Sequence, residues 1–154
     1  MASWMIHLRI ADKLLTLLHG IDETAFVMGN IAPDSGVPNA DWSEFYPPKT
    51  VTHFYKKTES GKVMDVASFC KSYFNENLIR SYSVKEYSFF LGYYFHLLTD
   101  VRWAEVTHSV LKKEHPEAYV ENKKRIDRTG KRRLVRSGFS LFGEESGLYG
   151  FFCL

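Results

Sequence analysis

The chain has 154 residues, 45% of them hydrophobic and 16% aromatic, with 20 basic against 18 acidic side chains. That length suits one domain with a real core, and the composition excludes a disordered chain. The net charge of +2 conceals an asymmetry: residues 122–136 hold eight Lys/Arg against one acid, leaving twelve bases against seventeen acids elsewhere, a body better suited to cations than to nucleic acid.

Ser3 is placed to cap a first helix running to about Leu18 and closed by His19-Gly20. Trp4, Ile6, Leu8, Ile10, Leu14 and Leu15 spread round this helix, and His7 lies within it. Asp22 or Thr24 opens a second short helix through Asn30, which Pro33 stops. Residues 31–48 are rich in Pro, Gly, Asn and Asp and read as a long ordered loop carrying Asp34. Thr50-Val51-Thr52-His53-Phe54-Tyr55 is the only β-flavoured run, too isolated to make a sheet. Residues 66–79 predict a third helix with Val66, Phe69, Cys70, Tyr73 and Phe74 on one side. Ser83 and Glu86 form a capping box for a long apolar helix that runs toward Leu111 and stops before Pro116. Residues 117–126 predict another helix. The expected fold is all-α, a compact bundle of about five helices with long loops.

The character changes at about residue 128. Residues 1–128 read as a helical metal-binding domain. Residues 129–154 form an atypical tail, basic and then Gly/aromatic, with neither helical nor strand period. A truncated or frame-shifted end is one explanation, and the tail is expected to add little to the fold. Cys70 and Cys153 form no CxxC motif, and Arg9, Asp12 and Lys13 break any signal-like apolar run. The longest apolar run, from Phe89 to Leu98, is too short to span a bilayer, which needs roughly 20 residues. The expectation is a cytoplasmic protein without an integral membrane segment.

Inside the long helix, His96 and Asp100 are four residues apart, so they share one face. Buried polar groups need partners, and a divalent metal would satisfy both at once. His7, Asp34 and His53 complete a set of five residues of the kind zinc prefers when thiolates are absent. Taken singly, a helical histidine is more often a hydrogen-bonded core residue, and an Asp after Pro is as readily an Asx turn.

Together the residues carry a resemblance. Trp4 with His7, Gly29-Asn30-Ile31-Ala32-Pro33-Asp34, Thr52-His53-Phe54, and Phe90-Leu91-Gly92 followed by His96 and Asp100 resemble the bacterial zinc-dependent phospholipase C family over residues 3–105. Fungal zinc-dependent single-strand nucleases are similar more distantly. The resemblance implies an all-α fold and a zinc cluster that cleaves phosphate diesters. It implies that Asp34, His53, His96 and Asp100 hold one zinc, that Asp100 bridges to a second zinc also bound by His7, and that Asp34 doubles as the catalytic base. The implied substrate is a small phosphodiester or a phospholipid head group.

Departures limit this reading. The family's mature chain begins at the tryptophan, whose free amine binds a zinc; here Met1-Ala2-Ser3 precedes Trp4. The family's remaining zinc takes a histidine six residues past the bridging aspartate, where this chain has Val106, and then a His-xxx-Glu that is not found. His108 is rotated about 80° from Asp100 on an ideal helix, so one or two ions are expected rather than three. Two alternatives stand beside the hydrolase: a zinc-binding relative without turnover, and a metal-free helical binding domain using the basic runs of residues 123–125 and 131–133. Nucleic acid is disfavoured because few aromatics interleave with those bases. No motif reads a substrate or an oligomeric state.

Overall fold

The computed structural model describes residues 2–59, 61–117 and 120. The chain divides into two compact units, Met1–His115 and Pro116–Leu154, and every element named here belongs to the first. The helices are α1 (Trp4–Leu15), α2 (Glu23–Ile31), α3 (Lys49–Thr52), α4 (Val66–Tyr73), α5 (Glu76–Ser81) and α6 (Val84–Glu114), with a 3-10 turn at Ala32–Asp34. Two antiparallel hairpins pair β1 (Val37–Pro38) with β2 (Phe45–Tyr46) and β3 (Tyr55–Thr58) with β4 (Gly61–Met64). The fold is therefore mostly helical; among the described residues there are six helices, where about five were expected, and two small sheets that the sequence reading did not foresee.

The 31-residue helix α6 is the axis. Its start is the expected capping box: the Ser83 amide donates to Glu86 Oε2 at 2.8 Å, and the Glu86 amide donates to Ser83 Oγ at 3.3 Å. Helices α1, α2 and α4 pack against it. On α1 the buried residues are His7, Ala11 and Leu14, spaced four and three apart, while Trp4 and Met5 face solvent. That stripe turns His7 inward with the core, not outward with the polar face. Ala11, Leu14 and Phe26 make one apolar cluster, with Ile10, Val27, Leu91 and Phe95 packed around it. Phe69 centres an aromatic cluster with Phe54, Tyr73, Phe74 and Tyr93.

Helices α2 and α6 meet backbone to backbone. A Cβ on Gly92 would collide with the Phe26 carbonyl oxygen, and one on Gly29 would collide with the Phe89 carbonyl oxygen. Only the absence of a side chain at both positions permits that approach. Asn30, fully buried beside it, donates its amide to the Gly92 carbonyl at 3.2 Å.

Several expected boundaries moved for local reasons. Helix α1 ends at Leu15 and not Leu18. The helix expected over residues 66–79 is two helices, because Asn75 accepts the Leu78 amide and caps a new one. Residues 31–48 are not all loop: the α2 end and the 3-10 turn lead into the β1–β2 hairpin. The run Thr50–Tyr55 was expected to be isolated. Its first half is α3, and Tyr55 opens β3, which finds a partner in β4 through a reversal ending at Gly61 with φ 123°. No helix among the described residues is long and apolar enough to cross a membrane. Most of the helix expected at residues 117–126, and the tail from residue 129 with its domain boundary, lie outside the described residues.

Gly92→Ala should destabilise the protein by about 3 kcal/mol or more, since backbone on a packed helix cannot give way as a flexible side chain can. Urea unfolding measures it. A loss below about 1 kcal/mol would mean that the two helices separate without cost.

Candidate metal centre

Each of the five expected residues reaches one buried point by a different local route. His7 comes from the inward face of α1. Asp34 ends the 3-10 turn behind buried Pro33. His53 directly follows α3. The next residue, Phe54, takes a left-handed conformation with φ 51° and drops its ring edge-on to Phe69. That conformation is uncommon for a bulky residue; here it turns the chain from α3 into β3 directly behind His53. The Tyr93 hydroxyl donates to the Thr52 carbonyl and ties the same segment to α6. His96 and Asp100 stand one turn apart on α6.

His7, His53 and His96 are fully buried, and Asp100 is 2% exposed. His53 Nε2 lies 3.3 Å from His96 Nε2, 3.5 Å from Asp34 Oδ1 and 3.6 Å from Asp100 Oδ2. His96 Nε2 is 3.9 Å from Asp100 Oδ2, and His7 Nε2 is 3.5 Å from Asp100 Oδ1. The two oxygens of Asp100 thus face two sides, one toward His7 and the other toward His53 and His96. The His7 and His96 rings stack with centroids 3.8 Å apart. His19, His108, His115 and Val106 are exposed and take no part.

One side chain, one backbone carbonyl and one backbone amide that sequence reasoning did not single out complete the surroundings. The Asn30 carbonyl sits 2.7 Å from His96 Nδ1. A carbonyl can only accept, so Nδ1 carries the proton and Nε2 presents its lone pair to the cluster. The Ala2 amide donates to Asp100 Oδ1 at 2.6 Å. Lys49 Nζ reaches Asp34 Oδ1 at 2.9 Å from the solvent side. Asn30 was visible in the quoted Gly-Asn-Ile-Ala-Pro-Asp run. Lys49 had no signal, because its partner is fifteen residues away in sequence.

Charges are tuned by burial and by each other. Burial, with the His7 imidazole alongside, lowers His96 to about 4, so it is neutral at neutral pH. Burial pushes Asp100 upward, but the His7 ring and the Ala2 amide outweigh it and the net shift is down. Asp34 is held well below the usual carboxylate range: burial again opposes ionisation, and His53 and Lys49 overcome it. Neutral imidazoles and ionised carboxylates are the forms that bind a dication.

The donor set fits a metal. Ligands held at about 2.0–2.2 Å in a tetrahedron lie about 3.3–3.6 Å from one another, and four of the five cluster distances fall in that range. Both His7 ring nitrogens and Asp100 Oδ2 are buried without a hydrogen-bond partner, which is costly unless something else occupies them. His7, His96 and Asp100 form one group that could hold an ion, and Asp34, His53 and His96 form another. His96 belongs to both groups but offers the cluster a single lone pair, whereas Asp100 carries two oxygens that face different histidines.

Fold and cluster together define a helical protein with a buried His/Asp cluster able to hold a metal ion. The sequence matches the family described as zinc dependent phospholipase C over residues 6–134, and the chain belongs to that family. The match extends beyond the resemblance at residues 3–105 into the basic segment. No curated protein and no solved structure matches the chain.

Metal-free protein should lose stability in mildly acidic solution. The folded value of His96, about 4, lies below the 6.5 of a free imidazole. Between these values the unfolded chain binds a proton that the folded chain refuses. The His96 contribution is therefore complete above about pH 6.5 and is lost as pH falls toward 4. Melting temperature measured in chelator from pH 7.5 to 4.5 should fall, and His96→Asn should flatten the fall; an unchanged slope in the variant would assign the effect elsewhere.

Proposed function

We propose that the protein hydrolyses phosphate diesters of lipid type, with two zinc ions held by His7, Asp34, His53, His96 and Asp100. Asp34, His53, His96 and Asp100 would hold one ion, and His7 with the second oxygen of Asp100 would hold the other. The observation that carries this reading is Asp100 itself, whose two oxygens address the His7 side and the His53/His96 side at 3.5–3.9 Å. Family membership supports zinc and a phospholipid-type substrate.

Zinc in such a site supplies positive charge for the phosphoryl oxygens and acidifies a bound water to a pKa of about 7. The chain's own residues do the rest. The Asn30 carbonyl keeps His96 in the tautomer that offers Nε2. Asp34, almost wholly covered but reached by Lys49 from the solvent side, is ionised and could orient an attacking water and accept its proton. Pro33 and the 3-10 turn fix that carboxylate, so little orientation is lost on binding. Water oxygen joins phosphorus, and the bond to the departing alcohol breaks in line.

A second reading, zinc binding without turnover, is favoured by one observation. Val106 occupies the position where the resemblance calls for a third-site histidine, and it is 52% exposed. Turnover of a chromogenic diester separates the two.

The variants are specific. Wild type should carry about two zinc ions per chain after reconstitution. His7→Ala should lose one ion and keep the other. Asp100→Asn should weaken both, since an amide has no charge and one good ligand oxygen, leaving the repulsion between the two dications less compensated. Both variants should lose diester hydrolysis. Elemental analysis beside the hydrolysis assay reads all three proteins; full zinc content and normal turnover in Asp100→Asn would remove the bridging role.

A further inference from the structure

Among the described residues, Lys49 is the only lysine or arginine ion-paired with a member of the cluster. It begins α3, and His53 follows that helix four residues later, its amide bonded to the Lys49 carbonyl at 3.0 Å. Four residues is one helical turn, so both side chains leave α3 on the same side. They converge on one atom: Asp34 Oδ1 is 2.9 Å from Lys49 Nζ and 3.5 Å from His53 Nε2. The two approach it from opposite environments. The His53 side chain is fully buried, whereas that of Lys49 is 46% exposed. Lys49 therefore stands on the solvent side of Asp34, and His53 on its buried side.

An ammonium is a compact cation with three donors on a flexible stem. Beside Asp34 it neutralises a carboxylate that could also serve a dication. Once a dication takes Asp34, that oxygen gives most of its charge to the metal, and the ammonium meets a neighbouring positive ion. Its best remaining partner is an anion at the mouth. A phosphoryl group gathered against the metals offers non-bridging oxygens there.

We propose that Lys49 is a phosphoryl-binding residue whose ammonium, held beside Asp34, donates to a non-bridging oxygen of a phosphate or phosphodiester bound at the centre. This rests on the metal-centre reading above and gives the site a preference for anionic phosphoryl ligands over neutral esters. It also explains why a lysine serves here. A rigid guanidinium would hold both Asp34 oxygens as a fork, while an ammonium on a long stem exchanges one partner for another.

The test uses the full chain loaded with zinc, as wild type, Lys49→Met and Lys49→Arg. Titrations with inorganic phosphate and with glycerophosphocholine are followed by calorimetry, and zinc affinity is measured separately without either ligand. Lys49→Met should bind phosphoryl ligands about tenfold more weakly, the size of one charge-assisted hydrogen bond, with zinc affinity equal to wild type or higher. Lys49→Arg should recover only part of the loss, because its fork stays engaged with Asp34. Weakening for the diester alone assigns the contact to the head group, and weakening for phosphate alone assigns it to free phosphate. The proposal is overturned if Lys49→Met binds both ligands as wild type does, if it loses zinc, or if zinc-loaded wild type binds neither ligand. A wild type that binds phosphate but hydrolyses no diester removes the hydrolase reading and leaves the Lys49 assignment standing.

Discussion

The close crossing of α2 and α6 is the constraint on which the site depends. Gly29 and Gly92 remove two side chains from the crossing point, and the helix backbones come into direct contact. That places the Asn30 carbonyl 2.7 Å from His96 Nδ1. A steric fact about two glycines thereby sets the protonation of an imidazole three turns into another helix. With Nδ1 committed to a carbonyl, the Nε2 lone pair is aimed at the cluster before any ligand arrives. Any residue larger than glycine would separate the helices and release that tautomer with them.

The cluster is expensive to hold in a helical core. Three imidazoles and two carboxylates occupy volume that apolar side chains would fill more favourably, and several of their polar atoms have no protein partner. Compensation is partial. The Ala2 amide serves one oxygen of Asp100, and Lys49 serves one oxygen of Asp34. Elsewhere local rules are obeyed closely: caps at Asp22, Asp65 and Asn75, the Ser83/Glu86 box, and continuous aromatic packing around Phe69. A chain so regular in its scaffold and so irregular at one point is organised around what that point binds.

Family membership over residues 6–134 implies zinc, and the buried cluster independently offers groups that could hold a metal ion. The family resemblance also calls for a third set of ligands, and Val106 stands where it would begin. The two oxygens of Asp100 face different histidines, and the short helix α3 with its C-terminal flank supplies a half-exposed ammonium at Lys49 and a buried imidazole at His53. The cluster is thus gathered from α1, residues 34–53 and one turn of α6.

By itself the sequence determined what is local or strongly periodic. The capping box at Ser83, the stop before Pro116, the helical setting of His7 and the one-turn pairing of His96 with Asp100 all follow from contacts within a few residues. The five residues that gather at the centre were legible because their types and neighbours carried a family resemblance. Spacing alone could not have joined Asp34 to His53 or His7 to Asp100. Tertiary structure decided the rest. The β3–β4 hairpin formed because Tyr55 found Met64 as a partner, which propensity along the strand does not encode. The break at Asn75 turned on one cap outweighing a continuous pattern. Which oxygen of Asp100 faces which histidine, and Lys49 on Asp34, depend on distances between segments 15 to 93 residues apart in the chain. Such contacts are fixed only when α2 meets α6 through their glycines, because only then do the separate segments share one origin.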